Sequence, residues 1–166
     1  MTSKKENLEI TPLLCCKNYT AVIKNSAGSR MFRHSYAKVN GKEKDLLRNG
    51  DLSCAFFAST ILYWFQLIKK PHATVSGTIK DMEKSGWREI KNPRPGSVLI
   101  WKPKEFDEGG VKASYRHMGF YIGNNKAVSN STKIGMPKIH HLTYGTKKGN
   151  PTRKIEAIFW HKRLEE

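Results

Sequence analysis

The sequence predicts an α+β fold: helical patterns fill its first half, strand alternation fills its second, and 166 residues make one compact domain. A domain of this length buries about two thirds of its unfolded surface, enough to fold without a disulfide scaffold. Residues 1–47 are expected to form an N-terminal extension with one short helix, packed on a domain of residues 48–166.

Residues 1–28 are polar-rich and punctuated by Pro12, Asn18, Asn25 and Gly28. Met31, Phe32 and Tyr36 recur at helical spacing, so a short helix is expected from Ser29 to about Val39, ended by Asn40-Gly41. Asn49-Gly50 marks a further turn. Asp51 or Ser53 is placed to cap a helix opening at Cys54 and running to Ile68, where Lys69-Lys70 suits the negative end of a helix dipole. That segment is apolar nearly all round, which puts it at the centre of the domain. An amphipathic helix follows from Thr74 to Ser85, with Val75, Ile79 and Met82 on one face and Gly86 as its stop. Strands are expected over Ser97–Trp101, Tyr115–Ile122, Lys126–Ser129 and Ile155–Trp160, with Asn124-Asn125 as a hairpin turn. The intervening loop, Lys102–Ser114, holds Gly109-Gly110 and reads as a flap beside a cleft.

Composition narrows the function. Lys and Arg number 30 against 14 Asp and Glu, giving a net charge of +16. Charge of that size suits an anionic polymer, but it is spread along the chain with no basic tail, so specific nucleic-acid binding is not expected. No stretch approaches the length of a membrane span and no secretory signal is visible, so as written the expectation is a cytoplasmic protein, or one exported by a route the sequence does not show. Cys15, Cys16 and Cys54 are odd in number and lack metal-ligand spacing, and adjacent cysteines seldom bridge, so free thiols are expected.

Cys54 carries the first chemical signal. A thiol in the first turn of a helix meets unpaired N–H groups and the positive end of the dipole, which favour the thiolate and could hold an oxyanion. The competing reading is a small buried cysteine. His117 lies in SYRHMGFYIG, where alternation sets Tyr115, His117, Gly119 and Tyr121 on one face. It is a candidate general base, against a structural histidine. Asn130, past the hairpin, is the candidate to orient the imidazole, with Ser129 as the alternative on the opposite face; ordinary turn chemistry competes with both. His140 and Trp87 are candidate substrate contacts, while Trp101 and Trp64 read as core. Neither a zinc site at His140-His141 nor any cofactor is expected.

Taken in order, DLSCAFFASTILYW at a helix start, PRPGSVLIW at a strand and HMGFYIGNNKAVSNS over a hairpin resemble the papain-like superfamily of NlpC-type peptidases and CHAP amidases. The resemblance spans roughly residues 48–160, and its most specific part is His117, Gly119, Tyr121, Gly123 and Asn124. It implies a nucleophilic cysteine opening a central helix packed on an antiparallel sheet, a Cys-His-Asn type site and no cofactor. The implied substrate is a peptide or amide bond, with peptidoglycan stem peptides among the candidates. The NlpC branch usually has Asp-Cys-Ser-Gly where this chain has Ser53-Cys54-Ala55, and commonly a second histidine where this chain has Ser129. Asn130 fits the CHAP branch better. An inactive domain using the same cleft or the basic surface for binding is the alternative.

Overall fold

The computed structural model describes residues 15–108 and 111–165. It is an α+β arrangement in which helices α1 (Cys15–Asn25), α2 (Cys54–Trp64) and α3 (Val75–Lys84) accompany a six-stranded antiparallel sheet. The sheet is ordered β3 (Arg88–Glu89), β10 (Ile155–Trp160), β4 (Val98–Glu108), β5 (Val111–Gly123), β6 (Lys126–Ser131) and β7 (Met136–His141). Two hairpins lie outside it, β1 (Tyr36–Val39) with β2 (Lys42–Asp45), and β8 (Thr146–Lys147) with β9 (Asn150–Pro151). Among the described residues no helix is long and apolar enough to cross a membrane.

The helix expected over Ser29–Val39 is not formed. Asn40 and Gly41 take φ of 52° and 76°, the left-handed pair that closes a tight hairpin, so Val39 pairs with Lys42. Of the three residues at that spacing only Phe32 is buried; Met31 and Tyr36 face solvent. The helix of the N-terminal region is instead α1, whose Tyr19 packs edge-on against Phe120 and donates its hydroxyl to the Gly96 carbonyl.

α2 starts where expected but ends at Trp64, because Gln66 turns left-handed at φ 55°. Its buried residues Phe57, Ala58, Ile61 and Leu62 meet one face of the sheet, made by Val98, Ile100, Met118, Phe120 and Val128. Trp64, expected in the core, is about half exposed at 48% because it falls on the helix face turned from the sheet. The opposite sheet face carries Leu99, Trp101 and Ala127, covered by Leu142, Tyr144, Ile155 and Ile158. β4 and β5 run on through Lys102–Glu108 and Val111–Ser114 as one long hairpin, in place of the expected flap; Gly109-Gly110 lies outside the described residues.

Candidate active site

β5 pairs with β6 from Gly123↔Lys126 to Gly119↔Ser129 and no further, although β5 reaches back to Val111 and β6 on to Ser131. The two strands therefore part at Gly119. Continued, the same register would set Met118 opposite Asn130. Instead the segment leading into α2 occupies the split. Gly50 and Gly135 touch backbone to backbone, so that a Cβ on Gly50 would fall 2.5 Å from the Gly135 carbonyl oxygen. Nδ2 of Asn130 donates to the Gly50 carbonyl at 2.6 Å.

This placement corrects the assignment of Asn130. It lies on the α2 face of the sheet, anchors the loop before Cys54 and does not meet His117. Trp87 is corrected as well. It is 1% exposed and its indole N–H donates to the Leu67 carbonyl, so it is a core residue that no substrate can touch.

Cys54 is the first residue of α2 and partly accessible. Ser53 stands at the N-cap position without a side-chain capping bond, which leaves the N–H groups of the first turn without an acceptor from the cap side chain. Burial nevertheless raises the thiol pKa, outweighing the N–H groups of Met118 and Ala55 and the Arg153 guanidinium, all of which favour the anion. The expectation of a thiol lowered by the helix dipole is thus reversed: desolvation dominates.

His117 and Gly119 pair with Trp101 and Leu99, and so point to the face away from α2, together with Ser129. The Cys54 helix and the His117 side chain approach from opposite faces of the sheet, and the split between β5 and β6 lets both line one cleft of about 1110 Å³. Thiol and imidazole are not directly hydrogen-bonded to each other. Burial, with Arg153 and His140 adding to it, holds the His117 pKa down to about 3, so its ring is neutral.

Ser129, offset diagonally from His117 across the strand pair, reaches Nε2 of that ring at 2.9 Å. The glycine at 119 makes this reach possible, since a Cβ there would fall 2.6 Å from the Cβ of Ser129. Ser129 Oγ also lies 2.8 Å from Nε2 of His140 and 2.9 Å from the Tyr144 hydroxyl. Donor and acceptor roles follow from the far end. Nδ1 of His140 sits 2.8 Å from the His141 carbonyl, which only accepts, so that nitrogen carries the proton. Burial lowers the His140 pKa, so its Nε2 is bare and accepts a hydrogen bond from the Ser129 hydroxyl. The serine oxygen then accepts from Tyr144 and from Nε2–H of His117. His117 is left with an unprotonated Nδ1, the form a general base requires.

The sequence reading brought Cys54, His117, Ser129 and His140 to this cleft and missed two residues. Tyr144 stacks on His140 with ring centroids 4.0 Å apart and holds a φ of 60°, a left-handed conformation rare for a bulky residue. Burial pushes its hydroxyl up to about 12, keeping it a donor. Arg153 lies near the Tyr144 ring and lines the same cleft. The Tyr144-Gly145 turn was the only signal for the first; Arg153 was one cation among 30.

No protein-family model matches the chain, and no curated protein is similar to it.

Proposed function

We propose that this chain is a cysteine-dependent hydrolase of peptide or amide bonds, built on a papain-like plan. The observation that carries the reading is the pairing of Cys54, at an uncapped helix start, with an imidazole whose bare Nδ1 is set by Ser129 in the same cleft. In this reaction Nδ1 of His117 takes the thiol proton as the sulfur attacks the carbonyl carbon. The N–H groups at the start of α2 hold the oxyanion. The imidazolium returns its proton to the leaving amine, the C–N bond breaks, and a thioester remains. Water, deprotonated by Nδ1, then releases the acid and regenerates the thiol. Ser129 takes the orienting role for which the sequence suggested Asn130. Peptidoglycan stem peptides are the first substrates to try.

A second reading, a binding module without turnover, is favoured by the raised thiol pKa and by the absence of a direct thiol–imidazole bond. Incubation with cell-wall peptides and simple peptides, read by mass spectrometry, separates the two. The hydrolase reading expects cleavage that disappears in Cys54→Ala and His117→Ala, with an acyl adduct on Cys54 under rapid acid quench. Cleavage unchanged in Cys54→Ala overturns it. Peptide retained without cleavage, equally by wild type and Cys54→Ala, establishes the binding module instead.

A further inference from the structure

Arg153 is a half-buried cation without a counter-ion among the described residues. Its Nε donates to the Lys102 carbonyl at 3.1 Å and one Nη to the Tyr115 carbonyl at 3.0 Å. Nη1 makes no hydrogen bond, and no carboxylate among the described residues pairs with the group. Desolvation lowers its pKa, and the groups that work against this are Tyr144 and Cys54, both neutral as free acids. An unpaired guanidinium taken partly out of water is costly, and here backbone carbonyls fix it rather than letting it swing into solvent. Around it cations outnumber carboxylates: Arg116, Lys138 and Arg153 border the cleft, against Asp51 alone among its described acidic residues. Arg116 is neutralised by Glu156 at 3.1 Å, but Arg153 is not.

We infer that Arg153 is a specificity residue that binds a carboxylate of the substrate beside the scissile bond, so that the natural substrate is an anionic peptide or amide. The inference rests on Cys54 being the reacting group. The guanidinium keeps free N–H donors for the carboxylate after its two anchoring bonds, and binding supplies the missing counter-charge. Its site is fixed before substrate arrives, because the strands carrying Lys102 and Tyr115 hold the fork in place.

The test uses two alkylating reagents of nearly the same shape, iodoacetate and iodoacetamide, on the full chain with Cys54 adducts quantified by peptide mass spectrometry. In each case the thiolate displaces iodide and forms a thioether, so the ratio of the two rates on one thiol is independent of its pKa. Relative to free cysteine at the same pH, the ratio is expected to favour iodoacetate by about fivefold at low salt, the size of one charge contact about 4 Å long in a solvent-filled cleft. Arg153→Gln abolishes the preference, Arg153→Lys keeps part of it, and Lys24→Gln, which removes an equal charge on α1 away from the cleft, leaves it in place. A ratio equal to that of free cysteine, or one lowered as much by Lys24→Gln as by Arg153→Gln, overturns the inference while leaving the thiol reactive. Cys54 inert to both reagents in unfolded-state-reactive protein overturns the hydrolase reading itself. The source of the carboxylate is read by protection of Cys54 from iodoacetamide. A C-terminally amidated peptide with an acidic side chain reports a side-chain carboxylate, and a neutral peptide with a free C-terminus reports a terminal one. Protection by neither beyond that of a neutral amidated peptide counts against the inference.

Discussion

Oγ of Ser129 stands 2.9 Å from Nε2 of His117, and because the same hydroxyl donates to His140, its oxygen accepts from the His117 ring. A backbone carbonyl at His141 thereby sets the tautomer of a histidine two strands away. ¹⁵N chemical shifts of the imidazoles read this directly: His117 is expected as the Nε2–H form in the wild type and as a mixture in Ser129→Ala and His140→Phe. Hydrolysis falls by about 100-fold in Ser129→Ala, the lower range of what a positioned base contributes. An unchanged His117 tautomer in both variants would show that Ser129 packs against the ring without directing it.

Gly119→Ala drives a methyl group into Ser129. The cost is expected at about 1–3 kcal/mol of stability, as for other overpacked sites. Urea unfolding measures that, and hydrolysis by the folded fraction drops with it because Ser129 is displaced from Nε2. Full activity per folded molecule would mean that the serine tolerates displacement.

The thiol is raised and the imidazole lowered, so the resting pair is neutral. Alkylation of Cys54 by iodoacetamide requires the thiolate. Its rate therefore climbs with pH through a single midpoint above that of an ordinary thiol, with no plateau between pH 5 and 7. A midpoint below pH 7 would instead mark a thiolate–imidazolium pair.

Asp81 accepts from the backbone N–H groups of Lys69 and Lys70, from Nε2 of His72 and from the Ser85 hydroxyl, tying the chain after α2 to α3. Despite burial, these donors hold its carboxyl pKa below the ordinary value. Asp81→Ala is expected to cost about 3 kcal/mol, since four donors lose a buried charged acceptor. The native state binds this proton less tightly than the unfolded chain does. Its contribution is therefore complete above the unfolded carboxyl pKa and fades as pH falls through the folded one. Urea midpoints of wild type and variant should converge on acidification; a constant gap would assign the loss to packing.

Local sequence determined much of this protein. The apolar run after Cys54 has no polar face, so it had to be a buried helix; Asn124-Asn125 had to turn; and the alternation around His117 had to be a strand. Those patterns reflect periods of 3.6 and 2 that any neighbours would respect. They also nominated Cys54 and His117 for one cleft. The same local logic failed where one signal serves two geometries, as at Asn40-Gly41, which ends a helix or turns a hairpin with equal ease.

Tertiary structure alone decided which side chain stands against the His117 ring and the charge around it. Ser129 and Asn130 are neighbours on opposite faces of β6, and which one meets His117 is set by the register of β6 on β5, which pairs Ser129 with Gly119. Asn130 is left to hold the loop before Cys54, where two glycines 85 positions apart, Gly50 and Gly135, touch backbone to backbone. Whether the Cys54 thiol is lowered by its helix or raised by its surroundings is likewise a sum over packed neighbours, and burial prevails. Cys54 and His117 are written in the sequence; the chemical state in which they meet is not.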